Sequence, residues 1–447
     1  MSIRVTMIGA GSPGFSRAVG EELMKSKVLQ DITFVMMDID PQRADASAEV
    51  MRKLVEEEGS SMKVEVSYNQ REALTGANYV VTSCEKNRVP YWIQDIEIPE
   101  KHGCYQLTGE NGGPGGQIHA MRNITIFMGI CKDMREVCPD AWLMNFTNPM
   151  SFLCTYVARY GGVKCLGFCH QVHGSFGVIA EMLGFEPGEL EVISGGVNHF
   201  NWLMDIRKKG TNESYMEEFL SFVEQSEWWE KVTHNVPPQK FTKELLELTG
   251  CYPIGYDDHI VEYVPFFYDE SEWDKYGYFR VKDHLKEYWA KISAMDKDQF
   301  GAQVQAASEV HVPFPKDPKH PHYHEDTCIM IEALETNTPT YVDSINVVNI
   351  GAVSNLPANA IVDVPAICVG GEVRSIHVGA LPPVAEELCR RQVTLHELVV
   401  EATVKGNRQI ALQAMALDPY IKNINQAKAI LDEFLEVYKE ELPQFHS

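Results

Sequence analysis

The stretch Gly167-Phe-Cys-His-Gln-Val-His-Gly174 sets a thiol and two imidazoles within five positions, Cys169 to His173. A second soft-ligand candidate, His199, closes the run Gly196-Val-Asn-His199 one strand and turn later. A thiolate and an imidazole suit Mn, Fe, Co, Ni or Zn better than Mg or Ca. Two protein donors are few for a structural site, which is usually closed by four, but they leave positions open for substrate oxygens. For an arbitrary pair the ordinary reading is a buried cysteine and a core histidine. Cys169 and His199 therefore take their meaning from the elements that deliver them.

Those elements begin at the N-terminus. Ile3 to Ile8 is apolar and runs into Gly9-Ala-Gly-Ser-Pro-Gly14, after which a helical pattern extends through Leu23. Strand, glycine turn and helix form a cradle for a pyrophosphate, with Gly9, Gly11, Ser12 and Gly14 as the contacts. A second β-like run, Asp31 to Met37, ends at Asp38. An acidic residue there suits a ribose diol and disfavours a 2′-phosphate, so NAD is expected rather than NADP. The alternation continues with a helix over 41–58, strands over 63–67 and 77–82, and a long helix over 117–135. A buried strand over 141–147 ends at Asn148-Pro149, where Pro fixes the turn and leaves the Asn148 amide free to bond a ligand. Arg88 follows the strand ending at Thr82, at the carboxyl edge where open α/β sheets bind ligands; a surface salt bridge is the level alternative. Leu107 to Gly116 is too glycine-rich for a helix or strand interior and carries Glu110 in its middle.

Lys164 to Phe168 is a further short strand delivering Cys169 and His170, and Glu191 to Val197 delivers Asn198 and His199. Beyond Trp202 the pattern turns helix-rich and aromatic to about residue 335, with a His320-Pro-His-Tyr-His324 cluster read mainly as loop histidines. Strands return over 341–349, 351–357 and 360–365, and an amphipathic helical tail runs from Pro383 to Tyr438. The expected fold class is α/β: a Rossmann-like doubly wound sheet over residues 1–200, then a mixed α+β substrate-binding and oligomerisation domain over 201–447, with its own sheet near 340–370.

Bulk properties narrow the function classes. The 447 residues are 45% hydrophobic with a formal net charge of −24, which argues against a nucleic-acid or anionic-membrane surface. No run approaches the ~20 apolar residues that span a bilayer. Eleven cysteines without regular spacing fit a reducing cytoplasm, and the start lacks a signal peptide's apolar region.

The ordered set Gly9-Ala-Gly-Ser-Pro-Gly, Gly109-Glu-Asn-Gly-Gly-Pro-Gly-Gly, Thr147-Asn-Pro, Cys169-His-Gln-Val, Gly196-Val-Asn-His and Gly351…Asn355-Leu-Pro…Val364-Pro resembles glycoside hydrolase family 4, from residue 3 to about 420. That family is the NAD-dependent exception to two-carboxylate glycoside hydrolysis. The resemblance implies oxidation of the sugar at C3 by NAD⁺, proton removal from C2, elimination at C1, addition of water and return of the hydride. A divalent metal, usually Mn²⁺, would hold the enediolate. It implies Cys169 and His199 as metal ligands, Gly9, Gly11, Ser12, Gly14, Asp38 and Asn148 at the cofactor, and Asn148 and Glu110 at the sugar. The base would be Tyr256 within Pro253-Ile-Gly-Tyr-Asp-Asp-His259, with Asp257 in reserve.

His170 falls where members acting on 6-phosphosugars carry Asn or Asp, so Cys169-His-Gln-Val resembles the α-galactosidase, α-glucosidase and uronidase branch. His170 would assist the leaving oxygen, bond a hydroxyl, or orient a neighbour. Arg88, His170 and His259 would meet the carboxylate of an acid sugar. The expected protein is a cytoplasmic homodimer or homotetramer cleaving a non-phosphorylated α-hexoside or α-hexuronide. The alternatives are a 6-phospho-glycosidase of the same family and a malate- or lactate-type dehydrogenase, which would release NADH and would not require Cys169 paired with His199.

Overall fold

The computed structural model describes residues 3–29, 31–225, 239–255, 257–264, 281–306 and 327–446. Six strands lie parallel in the order β3-β2-β1-β4-β5-β6: β1 Ile3–Ile8, β2 Ile32–Met37, β3 Lys63–Ser67, β4 Tyr79–Thr82, β5 Trp142–Asn145 and β6 Lys164–Gly167. This 3-2-1-4-5-6 order is the doubly wound dinucleotide-binding arrangement. Parallel strands covered on both faces read as continuous apolar runs, and β2, Ile-Thr-Phe-Val-Met-Met, is buried at every position. Its side chains alternate between two cores. Phe34 and Met36 join Val19, Leu23 and Met51 from helices Pro13–Lys25 and Pro41–Glu57. Val35 and Met37 join Ile118 and Phe127 of helix Gly113–Val137, together with Val399 and Phe434 from the tail. The tail helices Pro383–Lys405, Arg408–Leu417 and Ile424–Val437 thus cover one face of the N-terminal sheet.

The strands expected to form a separate sheet instead extend this one. β7 Leu190–Val197, β8 Phe200–Lys208, β9 Pro253–Ile254, β10 Thr340–Val348, β11 Ile361–Val369 and β12 Glu372–Ser375 bring it to twelve strands, with β10 and β11 lying between β6 and β7. Two pairs make the joins, Asn346 with Gly167 and Asp363 with Gly196. Glycine explains the first approach: a Cβ on Gly167 would lie 2.8 Å from the Asn346 Cβ of β10. A Cβ on Gly196 would instead lie 2.5 Å from the Phe200 carbonyl oxygen, so that glycine serves the β7–β8 hairpin. The strand expected over 351–357 is a loop. The Asn349 side-chain amide donates to the carbonyls of Val353, Leu356 and Pro357, which satisfies that backbone without a partner strand. No described helix is long and apolar enough to cross a membrane.

One buried carboxylate in this scaffold gives a pH-dependent stability. Asp418, just past helix Arg408–Leu417, is 3% exposed and accepts from the Gln117 amide at 2.8 Å and the Tyr420 N–H at 3.0 Å. Burial outweighs those bonds and raises its carboxyl to about 6. A folded-state value above the unfolded one means the protonated form stabilises below about pH 4, and that contribution is lost as pH rises through 6. Asp418→Asn is therefore expected to stabilise the protein at pH 7–8 by at most about 3 kcal/mol, the size of the shift converted to energy. The gain should vanish near pH 4. Thermal melts at both pH values check it, and an equal effect at both would exclude titration of Asp418 as the cause.

Candidate active site

The candidate side chains stand where the parallel strands end, because the helices that return the chain start there. At the end of β1, Gly9 has φ +92° and its N–H donates to the Met37 carbonyl at 2.9 Å. At the end of β2, the Asp38 carboxylate accepts from the Gly11 N–H at 2.8 Å and from the Asp40 N–H at 2.9 Å. A Cβ on Gly11 would lie 2.7 Å from Asp38 Oδ2, so these two residues require each other. Gly14 differs. A Cβ there meets nothing within 4 Å, so this glycine serves no packing need and leaves open the space beside the helix N-terminus. Ser12 occupies the N-cap position with no side-chain capping bond.

At the end of β6, Cys169 Sγ lies 3.2 Å from His199 Nε2. His199 is the second residue of the two-residue turn joining β7 to β8 and holds φ +62°, a left-handed conformation rarely adopted by a non-glycine residue. Its ring is buried, with no hydrogen-bond partner at Nδ1 among the described residues. Burial, with the positive charges of His259 and His170 adding to it, pushes the His199 imidazole well below its usual value. A neutral imidazole is the form that ligates metal. Among the described residues no group of three or more His, Cys, Asp or Glu side chains could hold a metal ion, so Cys169 and His199 stand as a two-donor set with an open side.

His259 stacks on His199, ring centroids 4.0 Å apart and planes inclined by 21°. His170 caps helix Gln171–Leu183 and lies 6.4 Å, centroid to centroid, from Phe15 on the nucleotide-side helix. Asn148 is half-buried at the end of the segment following β5, and its carbonyl accepts from Asn123 at 2.7 Å.

Arg88 opens helix Arg88–Lys101 and lies between two carboxylates, Glu85 at 2.9 Å and Glu110 at 2.5 Å. His119 extends this network, with Nε2 3.1 Å from Glu85 and Nδ1 2.8 Å from the Glu110 carbonyl. Burial alone would raise Glu85, but His119 and Arg88 outweigh it and bring the carboxyl to about 2. Glu110 is likewise lowered against its burial, by Arg88 and then His259. His119 is raised against its own burial by Glu85. Two carboxylates therefore face the Arg88 guanidinium, with the His119 imidazole between them.

The glycine-rich stretch is shorter as a loop than expected, because the helix begins at Gly113. A Cβ on Gly115 would lie 2.8 Å from the Gly109 carbonyl and one on Gly116 2.6 Å from Asn111 C, so these glycines pack the first turn. The loop's backbone N–H groups do not face a ligand. Those of Glu110, Asn111 and Gly112 all point at the Glu262 carboxylate, at 2.6, 2.6 and 3.1 Å.

Two expectations for the base fare differently. Tyr256 lies outside the described residues, as does the His320–His324 cluster. Asp257 is fully buried, and its carboxylate accepts from the N–H groups of Phe241 and Thr242, both at 2.8 Å, and from the Thr242 hydroxyl at 2.7 Å. It caps helix Lys240–Thr249, so its oxygens are committed to the backbone and it is withdrawn as the reserve base. Glu262, Glu85, His119 and Asn123 were not anticipated. In sequence each resembles a helix-surface polar residue, and no local signal separates them from that.

A doubly wound sheet with a soft donor pair and a hydroxyl-ready carboxylate at its carboxyl edge defines a class of nucleotide-fold enzymes acting on small polar substrates. The comparisons sharpen this. The model of the family 4 glycosyl hydrolases matches residues 4–185 and that of their C-terminal domain matches 194–421. The chain belongs to glycosyl hydrolase family 4, and it is a glycosidase. It is similar to an α-galactosidase of Bacillus subtilis, 28% identical over 99% of each chain. Among solved structures, the lplD protein of Bacillus subtilis superposes with a TM-score of 0.81 at 26% identity, covering 97% of this chain and all of that one. A 6-phospho-α-glucosidase from gut microorganisms, crystallised with NAD and Mn²⁺, gives 0.79 at 20% identity over 99% and 100%. Other whole-length relatives are described as an α-glucosidase and α-galacturonidases.

Proposed function

We propose that this chain cleaves a non-phosphorylated, neutral α-hexoside of the α-galactoside or α-glucoside type, using NAD and a divalent transition metal, Mn²⁺ in the first instance. The observation that carries the sugar class is the charge balance at Arg88. Glu85 and Glu110 already flank its guanidinium, and the neighbouring Arg122 is paired with Asp95. A substrate carboxylate or phosphate would make that group net negative. The backbone N–H groups of the glycine-rich loop, which would otherwise suit an anion, are occupied by Glu262. A neutral sugar needs only hydrogen bonds, and Glu110 and the Asn148 amide supply an acceptor and a donor.

The residues fit both partners. Asp38, aligned by Gly11, suits a ribose diol, and the space beside Gly14 is open for the nucleotide. Cys169 and His199 converge to 3.2 Å with the imidazole held neutral, as a metal requires. When bound, NAD supplies the reversible hydride acceptor and the metal supplies the electrophile that acidifies C2–H. The protein's own part is to orient and move protons. Glu110, fixed by Arg88, accepts from a sugar hydroxyl; Asn148 bonds a second; His170, beside the nucleotide-side helix, is placed to serve the leaving oxygen. Tyr256 is the proposed base. Residues 1–200 would carry the nucleotide and 201–447 the substrate and subunit contacts, with assembly as a homodimer or homotetramer.

The second reading, an α-hexuronide, is favoured by the Arg88 side chain, 44% of which stays exposed, and by the relatives described as α-galacturonidases. The test is a p-nitrophenyl panel of α- and β-galactoside, glucoside, galacturonide, glucuronide and 6-phosphoglucosides, with Mn²⁺ and NAD⁺ under reductant and then with either omitted. Fastest release from a neutral α-hexoside, requiring both and without NADH accumulating, is expected. A faster α-galacturonide would overturn the sugar assignment. Steady NADH formation without aglycone release would overturn the hydrolytic cycle.

A further inference from the structure

The ring of His199 lacks what usually aims a metal-binding histidine. Such residues donate their second ring N–H to a carboxylate, carbonyl or water, which fixes the ring's tautomer and tilt. Among the described residues His199 Nδ1 is buried without a partner, and its backbone holds φ +62° in the β7–β8 turn. The ring is set instead by His259, stacked 4.0 Å from it.

His259 belongs to the short segment 257–264, which is held by one internal contact and by three ties to its surroundings. His259 Nδ1 lies 3.4 Å from Glu262 Oε1. The Tyr263 hydroxyl donates to the Asn198 carbonyl at 3.3 Å, beside His199 itself. The Val261 carbonyl accepts from the Tyr420 hydroxyl of the tail. Glu262, 3% exposed, gathers the N–H groups of Glu110, Asn111 and Gly112 on Oε2 and the Asn111 side-chain amide on Oε1 at 3.3 Å. Backbone meets backbone here: a Cβ on Gly112 would lie 2.5 Å from the Glu262 carbonyl oxygen.

We infer that Glu262 is a positioning residue, one carboxylate that fixes the Glu110 loop on one side and, through the stacked His259 ring, the aim of His199 on the other. The arrangement sets the spacing between the group facing the sugar hydroxyls and the Cys169–His199 pair. Three converging N–H groups are what an anion-binding loop offers a phosphate; here an internal carboxylate takes that place permanently. Glu262 acts without touching the reacting atoms. This inference rests on the metal reading above, and its test separates the two.

Cobalt(II) is the probe, because a thiolate–Co(II) charge-transfer band and the d–d bands report the donor set without turnover. Purified full-length protein is titrated with Co²⁺ alone, and NAD affinity is measured in parallel as a fold control. Glu262→Gln keeps an oxygen for the three N–H groups but turns an amide toward His259. It is expected to weaken Co²⁺ roughly 10–100-fold, the range for losing a residue that supports a metal ligand, and to shift the d–d bands with NAD affinity unchanged. His259→Ala should do the same, and His259→Phe, which keeps a stacked ring, should restore most of the affinity. Should Glu262→Gln fail to bind NAD, the two His259 variants carry the test. Unaltered Co²⁺ affinity and spectrum in Glu262→Gln, or His259→Phe no better than His259→Ala, overturns the positioning role. A wild-type protein with no thiolate–Co(II) band overturns the metal reading, and this inference with it.

Discussion

Cys169→Ser is expected to lower glycoside cleavage roughly a thousandfold or more, the scale of the several kcal/mol that a catalytic metal ion supplies. NAD affinity should stay within about twofold. Serine keeps the volume but replaces a polarisable thiolate with a hydroxyl whose deprotonation is far costlier, so the softer half of the donor pair is lost. What remains is His199, whose other ring nitrogen has no partner and which cannot hold an ion alone. The nucleotide elements are spared because they are built separately: Gly9 and Asp38 end β1 and β2, three or more strands away from β6 in the sheet. Titration of Mn²⁺ and of NAD into the same preparation measures both halves. A serine variant that binds Mn²⁺ as tightly as wild type would remove Cys169 from the donor set, whatever its activity.

The nucleotide half was legible because its constraints are local. A strand, a glycine turn, a helix and an acid at the next strand's end lie within 38 residues, and the structure assembles them in the expected doubly wound sheet, in the order 3-2-1-4-5-6. The Cys169–His199 meeting was legible only through the motif set, since nothing in their spacing requires two strand ends to converge. The single twelve-stranded sheet was not legible. It depends on Gly167 admitting β10, and a strand-end glycine reads locally as a weakness rather than as a door. Glu262 and Asp257 show the same limit from the other side. Two carboxylates five residues apart cap different backbones, and neither assignment follows without knowing that Gln239–Thr242 and Glu110–Gly112 lie alongside. Arg88 was left level between salt bridge and ligand contact; the structure pairs it with Glu85 and Glu110, neither of which a reading of the sequence singles out as its partner.

Gly9→Ala is expected to cost about 3 kcal/mol or more of stability and to weaken NAD at least tenfold, whereas Gly14→Ala leaves stability level or slightly raised. The contrast follows from where each Cβ would point. At Gly9 it would sit 2.1 Å from the Ser83 carbonyl oxygen, 2.7 Å from that carbonyl carbon and 2.9 Å from the Cys84 Cα. These are backbone atoms of the segment following β4 and have no rotamer to yield with. Moving them would break the Ser83 N–H bond to the Ile8 carbonyl at 3.0 Å, which joins the two strand ends. Crowding of this kind typically costs 1–3 kcal/mol, and an alanine at φ +92° adds roughly 1–2 kcal/mol of backbone strain. Displacing the turn also moves the N–H groups meant for the pyrophosphate, so affinity falls with stability. At Gly14, in the first turn of helix Pro13–Lys25, nothing lies within 4 Å, and a helical Gly→Ala change gains up to about 1 kcal/mol. Melting curves and NAD titrations on both variants give four numbers. A Gly9→Ala protein melting with wild type would refute the clash. A Gly14→Ala protein that is stable yet deaf to NAD would mean that this glycine keeps space for the nucleotide alone.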